Sequence, residues 1–100
     1  MKVAGLTAGA VLLAQVMTEV VTVTSVVYAE ALGKKYKGTH DGRVWESVDD
    51  GKTWQQVANF GSHCAVVALA DRRSRLQAEI GIAGYSFTLT SADARVWYTV

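Results

Sequence analysis

Eight consecutive residues near the middle of the chain read Ser47-Val48-Asp49-Asp50-Gly51-Lys52-Thr53-Trp54 and match the pattern S-x-D-x-G-x-x-W. Asp and Ser side chains bond backbone N–H groups in turns, and glycine readily adopts the positive φ that a tight corner needs. We therefore predict a hairpin corner in which Ser47 and Asp49 brace the loop and Gly51 takes a positive φ. Trp54 would open the next strand as an apolar anchor.

This octapeptide resembles the Asp-box of the bacterial-neuraminidase (sialidase-type) repeat family, often called the BNR repeat. In that family the box joins the two outer strands of a β-propeller blade and lies away from the catalytic pocket of the members that are enzymes. The resemblance implies an all-β fold of antiparallel meanders, similar to two or three propeller blades. It gives Ser47, Asp49, Gly51 and Trp54 a structural role and implies no reaction.

A length of 100 residues predicts one domain, 1–100, and weak internal repeats divide it into three approximate units at 1–24, 25–62 and 63–100. Paired glycines recur in order along the chain, at Gly5 and Gly9 and again at Gly38 and Gly42. When the window is aligned from residue 90 to residue 97, the last unit keeps the hydroxyl at its start and the tryptophan at its end, but Ala92 replaces the aspartate and Ala94 the glycine. We therefore expect a degenerate corner there.

Alternation, β-branched residues and turn signals predict the individual strands. In the middle unit they fall at 20–28, 36–39, 43–48 and 53–60, with turns at 33–35 and 40–42. In the last unit they fall at 64–70, 76–83, 85–90 and 95–100, with a charged turn at 71–75. Each unit would therefore form a short antiparallel meander.

The N-terminal segment allows other interpretations. An amphipathic helix at residues 8–20 would place Leu13, Val16, Met17 and Val20 on one face, giving a small β-sandwich with an N-terminal helix. The basic start and the apolar stretch from residue 3 to residue 17 also resemble a secretory signal. Gln15 interrupts that stretch and the polar Thr18 and Glu19 follow it, which argues against a secretory signal. A virion or cytoplasmic location is favoured over secretion.

Composition narrows the possible partners. Ten basic residues against nine acidic ones give a formal charge of +1, which supplies no broad positive field for nucleic acid. No apolar run approaches the roughly 20 residues that a membrane-spanning helix needs. The single cysteine, Cys64, cannot form an internal disulfide, and no proline is present to blunt an exposed strand edge.

The sequence predicts no catalytic residue, cofactor or metal site. Sialidase-type enzymes use an arginine cluster drawn from separate strands, whereas the arginines at 72, 73 and 75 crowd one turn. Ser62, His63 and Cys64 are adjacent on an extended segment, so they point to alternate faces and cannot form a nucleophile–base pair. No paired Cys or His spacing suited to a metal is present.

Binding is better supported than catalysis. Tyr36, His40, Arg43 and Trp45 lie close together on the second predicted hairpin, where an exposed indole beside polar groups would stack on a sugar ring or anchor a partner protein. Both ends of the chain are apolar rather than polar caps, and fewer than three blades cannot close a ring that takes at least about four. We therefore expect a noncatalytic structural protein that forms a symmetric homo-oligomer or larger assembly, such as a virion or phage tail component. The alternative is a lectin-like oligomeric propeller that binds glycans.

Overall fold

The computed structural model describes residues 26–100, which form eight β-strands and no helix. The predicted all-β class is therefore confirmed for this part of the chain. The strands are β1 Val27–Ala31, β2 Lys34–Gly38, β3 Arg43–Ser47, β4 Gln55–Asn59, β5 Ala65–Arg72, β6 Arg75–Ile82, β7 Tyr85–Ser91 and β8 Tyr98–Thr99. The predicted unit at 1–24 and the alternative helix at 8–20 lie outside the described residues.

The strands form two four-stranded antiparallel sheets with the same connectivity. Sheet 1 has the order β1-β2-β3-β4, and sheet 2 has the order β5-β6-β7-β8. Three hairpins close with two residues that both have positive φ, at 32–33, 73–74 and 83–84. Two positive φ values are typical of the type I′ turn, whose twist matches that of the flanking strands.

The β1–β2 turn corrects one predicted boundary. The sequence predicts a turn at 33–35, but Leu32 and Gly33 occupy it, with φ values of 57° and 74°, and Lys34 already belongs to β2. Leucine rarely adopts a positive φ, so its identity gives no turn signal. The turn therefore starts one residue earlier than the glycine alone indicates.

The core lies between the two sheets, which approach most closely along β1 and β5. The inner face of sheet 1 carries Tyr36, Val44 and Glu46, all buried. The inner face of sheet 2 carries a buried apolar set that joins them in one cluster: Val66, Leu76, Ala78, Ile80 and Leu89. Alternation along each strand sends the intervening side chains to two outer faces.

The two sheets stack front to back, with unlike faces in contact. In sheet 1, Glu46 lies on the inner face, so Ser47, which pairs with Lys35, belongs to the outer side. In sheet 2, Ser91 pairs with the buried Leu76 and lies on the inner side. Each serine ends the third strand of its sheet, so the third strands present opposite faces to the shared core. Successive units of a repeat array stack in this way.

Gly38 in β2 allows the sheets to approach. A Cβ at this position would lie 2.3 Å from Cγ1 and 2.8 Å from Cβ of Val66, and 3.2 Å from Cγ2 of Val27. Only a residue without a side chain fits against β5 at this point. The spacing of the sheets therefore depends on Gly38.

We predict that Gly38→Ala lowers the free energy of unfolding by about 1–3 kcal/mol, because the added methyl overpacks the core against Val66. The matched control is Gly81→Ala in β6, where a Cβ would meet Cγ1 of Val67 at an ordinary 3.4 Å. That variant should be as stable as the parent or slightly more stable.

Urea unfolding of both variants measures the difference. The double variant Gly38→Ala/Val66→Ala should recover part of the loss, because the smaller side chain makes room for the methyl. Equal stability of the Gly38 and Gly81 variants would contradict the packing described here.

Candidate functional site

The corner between β3 and β4, residues 47–54, is held by the side chains of Ser47 and Asp49. The Ser47 hydroxyl donates to Oδ1 of Asp49 at 2.7 Å and accepts the N–H of Gly51 at 2.8 Å. Asp49 Oδ1 also accepts the N–H of Thr53 at 2.8 Å, and its other oxygen accepts the Thr53 hydroxyl. The motif predicts a left-handed conformation at Gly51, whose φ is 89°. We call this segment the Ser47 corner.

Charge-assisted hydrogen bonds stabilise the ionised form of Asp49. Bonds from the Thr53 side chain, then from the Thr53 backbone N–H and from Ser47, lower the pKa of Asp49 to about 2. The carboxylate is therefore charged throughout the physiological range, with its oxygens engaged inside the turn. Asp49 therefore stabilises the turn.

Trp54 extends from the corner onto the outer face of sheet 1. Its ring centroid lies 6.3 Å from that of Tyr28 on β1, with the rings tilted by 59°. The ammonium of Lys37 lies 4.7 Å from the centroid of the Trp54 ring and 5.8 Å from that of Trp45. Cations are attracted to aromatic faces at such distances. An aromatic and cationic layer therefore covers part of this face.

A second corner follows β7 and corrects the predicted degenerate one. The Ser91 hydroxyl donates to Asp93 Oδ1 at 3.1 Å and accepts the N–H of Ala94 at 2.8 Å. Asp93 Oδ1 accepts the N–H groups of Arg95 and Val96 at 2.8 and 3.0 Å. These bonds repeat the pattern of the Ser47 corner.

The alignment from residue 90 to residue 97 missed this Ser91 corner because it is one residue shorter than the Ser47 corner. The serine and the aspartate are residues 91 and 93, whereas Thr90 accepts a hydrogen bond from Arg75 on the strand face. Ala94 takes the positive φ of 69° that favours glycine and is fully buried. The S-x-D spacing was the signal that could have revealed this corner.

Arg95 projects from the Ser91 corner to the buried Glu46 of sheet 1. Its Nη1 lies 3.0 Å from Oε2 of Glu46, and its Nη2 lies 3.1 Å from Oε1, which makes a bidentate ion pair. The Tyr36 hydroxyl donates to Oε2 of Glu46 at 2.7 Å, and Lys34 lies 3.6 Å from the same oxygen. We call Tyr36, Glu46 and Arg95 the inter-sheet network.

The pKa values in this network follow from its contacts. The Arg95 guanidinium is the main cause that lowers the pKa of Glu46, and Glu46 in turn raises the pKa of Arg95. Burial, followed by the Glu46 carboxylate, raises the pKa of the Tyr36 phenol. Glu46 and Arg95 therefore remain charged, and Tyr36 keeps its proton.

A tyrosine hydroxyl in contact with a glutamate and an arginine has the residue types of a nucleophilic centre, but its setting here differs. A nucleophilic phenol must lose its proton and reach a substrate, whereas Tyr36 is fully buried and its pKa is raised. The contacts instead join sheet 1 to sheet 2 through side chains 49 positions apart. The inter-sheet network therefore links the two sheets.

The four residues predicted to contact a ligand or partner do not share one surface. Tyr36 lies in the core, while Trp45 lies on the opposite face of the same sheet, since adjacent positions of β2 pair with it and with Glu46. Trp45 is half-buried, and its Nε1 has no hydrogen-bond partner among residues 26–100. His40 is exposed in the β2–β3 turn, and Arg43 contacts Asp41 at 3.4 Å. The buried side chain of Tyr36 is therefore not available for the predicted ligand or partner contact.

Two clefts open on sheet 1. The larger, of about 500 Å³, lies where the β1–β2 turn meets the Ser47 corner, and its lining includes Lys34, Asp50 and Asp71. The smaller, of about 380 Å³, is lined by Tyr28, Ala29, Glu30, Lys35, Tyr36 and Trp54. Within the described part of the chain, no group of three or more His, Cys, Asp or Glu side chains could hold a metal ion.

Comparisons with known proteins gave no match, whether against protein-family models, curated proteins or solved structures. A search of residues 26–100 for a helix long and apolar enough to cross a membrane found none.

We predict that Gly51→Val destabilises the chain by about 1–3 kcal/mol, because a β-branched residue is forced to a positive φ. The added Cβ would find space, since the nearest atom, Cζ2 of Trp54, is 3.8 Å away. The cost would therefore come from the backbone. The neighbouring exposed Lys52→Val is the control and should change stability by less than about 0.5 kcal/mol. Thermal unfolding that does not separate the two variants would argue against the left-handed corner.

The inter-sheet network predicts that Glu46 of sheet 1 and Arg95 are energetically coupled. In a double-mutant cycle of Glu46→Gln and Arg95→Ala, the coupling energy should be about 1 kcal/mol, the modest size reflecting solvent screening of the half-exposed Arg95. The exposed pair Glu30 and Lys35, joined at 3.1 Å within sheet 1, should couple less in the same cycle. Denaturant unfolding gives both values. A coupling energy near zero for Glu46 and Arg95 would contradict a stabilising link between the sheets.

Proposed function

We propose that the chain is a noncatalytic structural protein that assembles with further copies of itself, and that sheet 2 provides the contact. The observation that carries this proposal is an apolar surface formed by Ile82, Tyr85 and Phe87, here called the hairpin patch. Their side chains are 36%, 77% and 41% exposed. Apolar side chains grouped in this way on a surface mark interaction sites.

The hairpin patch lies at the end of β6 and β7, which are longer than any strand of sheet 1. These strands have eight and seven residues, whereas β2 and β3 have five each. Ile80 pairs with Phe87 and is fully buried, while the next pair on the same face, Ile82 and Tyr85, is exposed. The face of sheet 2 that packs on the core therefore extends beyond the part that is buried against sheet 1.

Charge favours a second copy as the occupant. The six residues 82–87 contain no charged side chain, and the whole chain carries a formal charge of +1. Two hairpin patches related by a twofold axis would meet without like charges in contact. A weak net charge also offers little repulsion between copies.

The last strand carries a second exposed apolar surface, on the face of sheet 2 opposite the hairpin patch, because Tyr98 pairs with Thr90. Tyr98 and Val100 are two positions apart on the edge strand of sheet 2, so their side chains share one face, and they are 61% and 80% exposed. The ladder continues past β8, since the N–H of Val100 bonds the carbonyl of Thr88 at 3.1 Å. An apolar edge without charge or proline is a surface that folded proteins usually cover.

Two finer predictions from the sequence stay predictions. A virion or phage tail setting rests on the type of architecture alone. The lectin-like alternative loses the support of Tyr36, which is buried, and of the indole N–H of Trp45, which is inaccessible. Self-assembly has the more specific support.

The test is the oligomeric state of the chain and of two charge variants. In sedimentation experiments over a dilution series, we expect the parent chain to form a dimer. Phe87→Glu should shift it to monomer, because an unpaired carboxylate would be buried in the apolar contact. The control is Ser86→Glu, which adds the same charge to the adjacent exposed residue on the opposite face and should leave the dimer intact.

Tyr85→Ser provides a second variant if Phe87→Glu fails to fold, because Tyr85 is the most exposed member of the patch. A parent chain that is monomeric at every concentration would overturn the proposal. Equal dimerisation of the parent chain and both patch variants would place the contact elsewhere and would also overturn it.

A further inference from the structure

The smaller cleft on sheet 1 has features that self-assembly through sheet 2 does not use. Its volume of about 380 Å³ falls within the range of about 300–1,000 Å³ that small-molecule sites occupy. It lies over β1 and β2 beside the Ser47 corner and is lined by aromatic, acidic and basic side chains. The hairpin patch belongs to the other sheet, so the two surfaces are distinct.

Two aromatic rings form the apolar walls of this cleft. Tyr28 is 66% exposed on β1, and the half-buried Trp54 extends from the corner to lie 6.3 Å from it, ring centre to ring centre. Trp54 is fixed at its base, because the hydrogen bonds of Ser47 and Asp49 set the corner from which it starts. The cleft therefore has one rigid aromatic wall and one accessible one.

A donor and an acceptor lie beside the rings. The Glu30 carboxylate, 75% exposed, lies 3.1 Å from the ammonium of Lys35, which also lies 3.4 Å from Asp50. Adjacent positions that accept and donate hydrogen bonds suit a ligand with several hydroxyl groups. Exposed ion pairs of this kind contribute little to stability, so folding does not require the arrangement.

Charge distinguishes between the ligands that aromatic walls can take. A quaternary ammonium group also binds between aromatic rings and a carboxylate. Here Lys37 already lies 4.7 Å from the centre of the Trp54 ring, and Lys35 occupies the carboxylate. A cationic ligand would meet two resident cations. A neutral sugar ring would stack its C–H face on an aromatic wall while its hydroxyls bond Glu30 and Lys35.

We propose that Tyr28, Glu30, Lys35 and Trp54 form a binding site for a neutral pyranose, separate from the assembly surface. The site differs from the one predicted around Trp45, since the stacking surface is Tyr28 with Trp54. Its small area and open shape imply weak affinity for a single sugar unit, with a Kd of the order of 1–10 mM. Assembly of several copies would strengthen binding to a multivalent glycan.

The test is a nitrogen–proton NMR titration of the full chain with methyl β-D-glucopyranoside, methyl β-D-galactopyranoside and, separately, choline chloride. We expect at least one glycoside to shift the indole N–H signal of Trp54 in a saturable way, and choline to cause no such shift. Tyr28→Ala should weaken this binding about three- to tenfold through loss of stacking, whereas Tyr28→Phe should retain it.

Glu30→Gln gives a second test, because it removes a charged acceptor from an exposed position without altering the rings. It should also weaken glycoside binding. Tyr85→Ala, which removes the exposed tyrosine of the hairpin patch, is the control and should leave the titration unchanged. This control also separates the site from self-assembly, because it weakens only the latter.

Three results would overturn the proposal. One is the absence of a saturable shift at Trp54 with either glycoside up to about 100 mM. Another is binding that survives both Tyr28→Ala and Glu30→Gln unchanged. The third is saturable binding of choline in preference to the glycosides, which would make the cleft a cation site.

Discussion

The structure depends on how the buried carboxylate of Glu46 is satisfied. A charge removed from water is costly unless it is paired and hydrogen-bonded. Glu46 obtains one hydrogen bond from Tyr36 of its own sheet and two from Arg95 of the other. If the sheets separated or turned over, the carboxylate would lose the guanidinium and Tyr36 would lose its cover. Glu46 therefore helps to determine which face of sheet 1 meets sheet 2.

The choice of faces has consequences at both ends of the stack. Because Glu46 points inward, Trp45 and Trp54 lie on the outer face of sheet 1, where the smaller cleft forms. Because sheet 2 turns its Leu76 and Leu89 side to the core, the extension of that side at the β6–β7 hairpin is apolar and uncovered. The assembly surface and the sugar site proposed above thus both follow from which faces of the two sheets pack together. Each uses a surface that the front-to-back stack leaves open.

Much of the fold could be predicted from local patterns. Seven of the eight strands of residues 26–100 fall largely on predicted ones, because alternation and turn residues are local signals, and the Ser47 corner was readable as a motif. The first strand was predicted at 20–28, but β1 spans Val27–Ala31, so that prediction was wrong for most of its length. What was missed is either non-local or contrary to residue preference. Leu32 and Ala94 take positive φ without a glycine, the Ser91 corner is one residue shorter than the motif, and Arg95 finds Glu46 at a distance of 49 positions. That ion pair carries no sequence signal. The contact residues predicted on the second hairpin were separated by alternation, which sent Tyr36 and Trp45 to opposite faces.

The most direct measurement of the central claim is a set of nuclear Overhauser effects from the methyl groups of Val66 in the folded chain. The front-to-back stack predicts strong effects to the Hα protons of Gly38, because a Cβ there would lie only 2.3 Å from Val66 Cγ1. It predicts none to the indole ring of Trp45, which lies on the far face of the same sheet. Effects from Val66 to Trp45 in place of Gly38 would mean that the other face of sheet 1 meets sheet 2, and would contradict the account.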